Sequence, residues 1–127
     1  LHANSFKSRV LLNSNGNFSN IDLPYEAQFS SINDFVIEDY NGDGLKDILA
    51  IGNLFTSEIE TPRNDASNGI LLIGKGDGSF YTKLRKESGF YAPSDAKKII
   101  PLKIKNENGI LVGNNNDLLQ YFKAIKP

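Results

Sequence analysis

The sequence predicts an all-β fold built from short antiparallel strands. Its apolar residues come in brief runs that are rich in β-branched types, such as 35–37 and 48–51, and these runs are too short for helices. Clusters of Gly, Asn and Asp separate the runs and mark turns. Helical periodicity is hard to find, apart from possible single turns around 55–60 and 64–68. Strands joined by turns therefore account for most of the chain.

Each strand can be placed by its apolar run and its flanking turn residues. The predicted strands lie near 8–13, 17–22, 33–38, 47–52, 69–73, 79–84, 96–104, 109–113 and 117–123. Turn residues at 13–17 and 74–79 predict hairpins that lead into Phe18 and Phe80. The residues expected to be buried include Phe35, Ile37, Ile48, Leu49, Leu71, Ile73 and Phe80.

The chain also resembles itself at a constant offset. Three correspondences have this property: Ile51-Gly52-Asn53 with Val112-Gly113-Asn114, Leu11-Leu12 with Leu72-Ile73, and Asp34 with Asp95. Since 112 − 51, 72 − 11 and 95 − 34 all equal 61, the sequence predicts a repeat of that length. Each unit would hold about four strands, which is the content of one propeller blade.

The stretch Asp39-Tyr40-Asn41-Gly42-Asp43-Gly44-Leu45-Lys46-Asp47 predicts a calcium loop. A hard dication takes about six to eight oxygen ligands, and alternate side chains converge only where the backbone curls sharply. Gly42 and Gly44 permit that curl. The predicted ligands are the side chains of Asp39, Asn41, Asp43 and Asp47 and the carbonyl of Leu45. The alternative is a pair of Asn-Gly and Asp-Gly turns whose acids are merely solvated.

The flanks of this loop distinguish it from an EF-hand. EF-hand loops end in a bidentate Glu at about position 12 and lie between helices. Here Ala50 stands at that position, and both flanks have the pattern of strands. The local prediction is therefore a strand, a calcium turn and a second strand.

Two motifs together resemble a known family. The pattern D-x-N-x-D-G-x-x-D runs from Asp39 to Asp47, and G-x-G-D-G-x-F runs from Gly74 to Phe80. This order resembles the FG-GAP or VCBS-type repeats of integrin-α-like β-propellers, with further similarity at 23–30, 52–53, 65–69 and 88–90 to the closing blades of secreted bacterial proteins. The segment 103–109 departs from the pattern, because lysines stand where a second metal loop would fall.

The resemblance implies about two four-stranded antiparallel propeller blades, a fragment of a larger β-propeller. We expect 1–31 to supply the last two strands of one blade, 32–92 a complete blade with the calcium loop, and 93–127 part of the next. Closed propellers typically need four to eight blades, so the remaining blades of the parent protein are the expected partners. An isolated fragment would expose sheet faces and edges, which favours self-association.

Composition excludes several classes of function. The formal net charge of −1 provides no basic field for nucleic acid. No apolar run approaches the ~20 residues of a membrane-spanning helix. The absence of cysteine excludes disulfides and thiol catalysis. Calcium sites of the weak class, with dissociation constants of about 10⁻⁴ to 10⁻³ M, are filled outside cells, which favours a secreted or surface location.

Enzyme chemistry has little support in the sequence. His2 is the only histidine and lies near the terminus, while Glu26, Glu58 and Glu60 are acids for which surface solvation is the simpler role. The long connection 53–69 offers Leu54, Phe55, Ile59 and Arg63 as a contact surface, or as residues that pack the loop onto its own blade. The sequence therefore predicts a non-catalytic, calcium-stabilised scaffold that binds a protein or glycan. The alternative is a fragment of a calcium-dependent polysaccharide lyase.

Overall fold

The computed structural model describes residues 2–58 and 60–123 and shows an all-β protein with antiparallel sheets. Its strands are β1 (Arg9–Ser14), β2 (Asn17–Asp22), β3 (Ile32–Glu38), β4 (Asp47–Gly52), β5 (Ile70–Gly74), β6 (Phe80–Lys83), β7 (Ala96–Ile104), β8 (Glu107–Asn114) and β9 (Gln120–Lys123). Every predicted strand is present, with boundaries that differ by a few residues at most. The regular turn chemistry of the chain made these positions predictable.

The strands form three separate sheets. The first sheet pairs β1 with β2, the middle sheet has the order β3-β4-β5-β6, and the last sheet has the order β7-β8-β9. All the pairings are antiparallel between strands adjacent in the chain. Each sheet lies within one of the three predicted ranges, 1–31, 32–92 and 93–127.

Strand β4 lies at the centre of the molecule, and all six of its residues are buried. Alternate side chains of a strand point to opposite faces of the sheet. Leu49 and Ile51 join a core with Ile99 and Val112 of the last sheet. Ile48 and Ala50 join a second core on the other face, against Val10, Leu23 and Ala27. Because the middle sheet is covered on both faces at β4, side chains on both faces of this strand are apolar. This explains the continuous apolar run at 48–51.

The predicted burial of Ile48, Leu49, Leu71 and Ile73 is confirmed, and Phe80 is half-buried. The prediction was wrong for Phe35 and Ile37, which are 53% and 48% exposed. They lie on β3, an edge strand of the middle sheet. Their cross-strand partners, Ala50 and Ile48, mark the face that packs towards the first sheet. Ile32 is the residue of β3 that packs against the core on that face, and Phe35 and Ile37 do not belong to this core.

The short helices are not where the sequence suggested. A 3-10 turn occupies Tyr25–Gln28 and helix α1 occupies Arg85–Ser88. No helical turn is present at 64–68, while near the other expected turn the Thr61 amide donates to the Glu58 carbonyl across a single turn, and a bridge pairs Leu54 with Asn64. Single helical turns give too weak a pattern to locate from sequence.

Strand register refines the predicted repeat. Ile51 pairs with Asp34, and Val112 pairs with Ile99. If Ile51 is aligned with Val112, their strand partners Asp34 and Ile99 are aligned as well. Asp34 then corresponds to Ile99 and not to Asp95. Asp95 lies just before β7, outside the paired strands. The first two correspondences begin on strands and the third does not, and the repeat stays a prediction.

Candidate metal-binding loop

The predicted calcium loop connects β3 to β4 and consists of residues 39–46, with Asp47 as the first residue of β4. Gly42 and Gly44 have φ angles of 82° and 83°. These left-handed conformations disfavour residues that carry a Cβ. The glycines allow the backbone to turn its amide groups towards the side chains of the loop.

Asp39 organises the first half of the loop. Its Oδ1 accepts a hydrogen bond from the Gly42 amide at 2.7 Å, and its Oδ2 accepts one from the Gly44 amide at 2.9 Å. The hydrogen bond from Gly44 is the main reason that the pKa of Asp39 lies below its usual value, and that from Gly42 adds to it. The carboxylate is therefore ionised and wrapped by the backbone.

Asn41 and Asp43 contact each other directly. The Nδ2 of Asn41 donates to Oδ2 of Asp43 at 2.8 Å, and the Asp43 amide donates to Oδ1 of Asn41 at 3.0 Å. The amide of Leu45 donates to the other oxygen of Asp43 at 2.7 Å. The side chains at positions 39, 41 and 43 are thus all engaged with one tight turn.

Asp47 has a different position from the other predicted ligands. It is completely buried, whereas Asp39, Asp43 and Leu45 are exposed. Its Oδ2 accepts from the Tyr40 amide and its Oδ1 from the Gly74 amide, each at 2.9 Å. Asp47 therefore fastens the β3–β4 loop to the end of β5.

The second sequence motif meets the first at this point. A Cβ added to Gly74 would collide with the backbone carbonyl of Lys46, so only glycine allows this approach. In the β5–β6 turn, Asp77 accepts hydrogen bonds from the amide and hydroxyl of Ser79 at 2.8 and 2.6 Å. A Cβ on Gly76 would lie 3.3 Å from the Leu45 side chain, which places the two turns side by side.

The geometry defines what the loop could hold. Among residues 2–58 and 60–123, no group of three or more His, Cys, Asp or Glu side chains converges as a metal centre. The carboxylates instead accept backbone hydrogen bonds. Each carboxylate oxygen has two lone pairs, so an oxygen that accepts one N–H can still bind a cation. The hard oxygens of Asp39, Asn41 and Asp43 fit calcium chemistry.

Tyr40 lies inside the loop sequence but packs against the core between the middle and last sheets. Its hydroxyl is buried and has no hydrogen-bond partner in the described part of the chain. Burial raises the pKa of Tyr40, and the nearby charges of Glu38 and Asp47 raise it further. The hydroxyl is therefore a protonated donor at neutral pH.

The other sequence candidates are dispersed. His2, Glu58 and Glu60 are exposed, and Glu26 accepts a hydrogen bond from the Thr82 hydroxyl at 3.0 Å. In the long connection, the guanidinium of Arg63 lies 4.7 Å from the ring centre of Phe55, while Leu54 is 41% exposed. Ile59, the fourth residue of that predicted surface, lies outside the described residues.

Sequence reasoning missed a buried polar junction between the middle and last sheets. Asn53 is fully buried, and its Nδ2 donates to the carbonyls of Ser67, Pro93 and Ser94 at 2.7 to 3.2 Å. Its φ of 83° is unusual for a residue other than glycine. The recurrence of Gly-Asn after an apolar strand was the available signal, but the sequence does not reveal which copy is buried.

Comparisons with family models, curated proteins and solved structures give no match to this chain. In the part of the chain that the structure describes, no helix has the length and apolar character needed to cross a membrane.

Proposed function

We propose that this chain is a calcium-stabilised segment of an extracellular β-propeller, and that it serves as a non-catalytic binding scaffold. The observation that supports this most directly is the loop 39–47, in which the side chains of Asp39, Asn41 and Asp43 engage one glycine-supported turn. Calcium would bind Asp39, Asn41, Asp43 and the Leu45 carbonyl, with Asp47 as the further carboxylate. The ion would neutralise clustered negative charge and fix the β3–β4 turn.

The arrangement of the three sheets supports the propeller part of the proposal. The middle sheet has four antiparallel strands in sequential order, as a blade does, and buries both faces against its neighbours. The outer face of the last sheet carries Ile100, which is 41% exposed, paired with Leu111 and then Tyr121, which is 40% exposed. On the first sheet, Leu11 and Phe18 are 59% and 66% exposed. The remaining blades of a parent protein would cover these apolar faces.

The connection 53–69 and the net charge of the chain support the scaffold role. Loops on a rigid β framework commonly carry recognition, and the connection 53–69 is ordered by the Leu54–Asn64 bridge and the Arg63–Phe55 contact. A protein or glycan ligand fits this surface better than nucleic acid, because the net charge is −1. An extracellular location follows from the weak affinity expected for a single loop of this kind.

Thermal unfolding with and without calcium tests the proposal. Addition of a chelator should lower Tm, and excess calcium should restore it. If the free calcium concentration is about thirtyfold above Kd, binding adds roughly 2 kcal/mol to the free energy of unfolding. Asp43→Ala should remove most of the response, because Asp43 contributes a loop carboxylate.

Asp77→Ala is the matched control, because Asp77 is an exposed carboxylate in the adjacent turn. It should leave the calcium response intact. If the unmutated protein melts at the same temperature in chelator and in calcium, the metal assignment is wrong. An equal loss of response in both variants would show a charge effect without a specific site.

A further inference from the structure

A cleft of about 770 Å³ lies between the middle and last sheets. Strands β3 and β4 pack against β7, and the cleft is lined from β4, β5 and β6 on one side and from β8 and β9 on the other. Small-molecule sites typically have volumes of about 300 to 1,000 Å³. The cleft has the volume of a ligand site, and it borders the proposed calcium loop, because Tyr40 and Asn41 also line it.

The floor of the cleft is apolar. It consists of Leu49, Leu71, Phe90 and Ile110, which are buried, and of Phe122, which is half-buried. The rings of Phe90 and Phe122 lie with centroids 4.7 Å apart. An apolar or aromatic body placed on this floor would leave water and gain the hydrophobic contribution of its buried surface.

The rim of the cleft is cationic. It carries Lys83 from β6, Lys86 from α1 and Lys123 from β9. Lys123 pairs with Glu107 at 2.6 Å, whereas Lys83 and Lys86 take part in no ion pair among the described residues. The rim carboxylate of Glu87 accepts a hydrogen bond from the Leu84 amide at 3.1 Å. Since Lys83 and Lys86 outnumber the Glu87 carboxylate, the rim keeps a net positive charge for an anionic ligand.

Tyr40 also lines the cleft. Its buried hydroxyl has no partner in the described part of the chain, and an unpaired buried donor costs free energy. The hydroxyl is closed to solvent, so a ligand in the cleft is not expected to contact it. The apolar floor and the cationic rim favour the same kind of molecule.

We propose that this cleft binds a small organic anion, an aromatic or acyl body that carries a carboxylate or sulfonate. The body lies on the floor formed by Leu71, Phe90 and Phe122, and the anionic group contacts Lys83 and Lys86. Binding requires no calcium.

Titration with 1-anilinonaphthalene-8-sulfonate tests the site, because this probe combines an aromatic body with an anion and fluoresces when it leaves water. We expect saturable binding of one probe per chain, in chelator as well as in calcium. Changing both Lys83 and Lys86 to Gln should weaken binding about fivefold, since each exposed ion pair contributes a fraction of 1 kcal/mol. Lys86 is exposed and Lys83 is half-buried, and neither takes part in an ion pair among the described residues, so the variant should fold normally.

Two controls isolate the predicted contacts. Changing Lys103 and Lys105 to Gln removes the same charge from exposed positions outside the cleft and should leave Kd unchanged. N-phenyl-1-naphthylamine has the aromatic body without the sulfonate. It should bind more weakly than the anion and should not respond to the loss of Lys83 and Lys86.

Amide chemical shifts locate the bound probe and can overturn the proposal. Shifts confined to Phe90, Ile110, Phe122 and their neighbours support it. Shifts concentrated instead on the exposed outer faces, around Leu11 or Ile100, would show that the probe covers open sheet surface and that the cleft is not a site. An equal effect of both lysine pairs, or binding that tracks self-association in sedimentation, would also reject it.

Discussion

The β3–β4 and β7–β8 connections occupy equivalent places in neighbouring sheets, yet they hold their strands together differently. In the first, residues 39–46 form a long loop whose amides are bound by Asp39, Asn41, Asp43 and Asp47. In the second, β7 ends at Ile104 and β8 begins at Glu107, so two residues make the turn. Lys105 supplies its left-handed conformation, with a φ of 56°.

This difference separates two roles of the acidic residues in the calcium motif, which are to accept hydrogen bonds from the loop backbone and to bind a metal ion. A two-residue hairpin satisfies its backbone through the flanking ladder and needs no acidic side chain. A long loop has amides that must find acceptors elsewhere, and here carboxylates provide them. The acids of the β3–β4 loop thus support the backbone whether or not calcium binds, which is why structural and metal-dependent effects must be measured separately.

The largest effect should come from Asp47, the buried carboxylate at the start of β4. Asp47→Ala would leave the amides of Tyr40 and Gly74 without their acceptors, and each such loss costs about 1 to 3 kcal/mol. We expect the free energy of unfolding to fall by about 3 kcal/mol in calcium-free urea titrations. Asn108 lies 61 residues after Asp47, at the start of β8, and is exposed.

Asn108→Ala should therefore change stability by less than about 0.5 kcal/mol. Similar losses at both positions would remove the distinction between the two connections. A loss at Asp47 that appears only when calcium is present would instead assign this residue to the ion alone.

A smaller effect on stability should come from the residues with positive φ, Gly42 in the β3–β4 loop and Lys105 in the β7–β8 turn. Gly42 has open space around the position of a Cβ, so Gly42→Ala carries only the conformational cost of its positive φ, about 1 kcal/mol. Lys105→Gly removes a similar cost from the other turn. The greater entropy of glycine in the unfolded chain offsets part of that gain, which leaves a stabilisation of roughly 0.5 kcal/mol.

Chemical denaturation of the two variants in chelator provides the measurement. Opposite signs are expected for Gly42→Ala and Lys105→Gly. If Lys105→Gly destabilises the protein, the lysine side chain makes a contact in the turn that outweighs its backbone conformation.

The sequence predicted what depends on local chemistry and missed what depends on neighbouring sheets. The apolar run at 48–51 predicted a strand with two covered faces, and turn residues located its ends. Phe35 and Ile37 have the same apolar character but lie on an edge strand, a property set by the order of strands. The calcium motif predicted a turn at 39–47, but the hydrogen bond that the Gly74 amide donates to Asp47 spans 27 residues and could not be inferred from spacing.

The smallest predicted effect concerns pH and the exposed carboxylate of Asp39. Hydrogen bonds from Gly44 and Gly42 hold its pKa in the folded protein below the usual value of 3.8. A depressed pKa contributes stability that is fully present above 3.8 and is lost as the pH falls through the lower, folded value. In calcium-free buffer, stability should therefore decline below about pH 4 partly through this group.

Asp39→Asn removes that titration while it keeps an acceptor oxygen, so its stability should fall less steeply with acid than that of the unmutated protein. Urea midpoints measured at steps between neutral pH and pH 3 would show the difference. Since the β7–β8 turn has no aspartate, Asn108→Ala should keep the original slope. Parallel pH profiles for Asp39→Asn and the unmutated protein would mean that the loop amides hold the ionised and neutral side chain equally well.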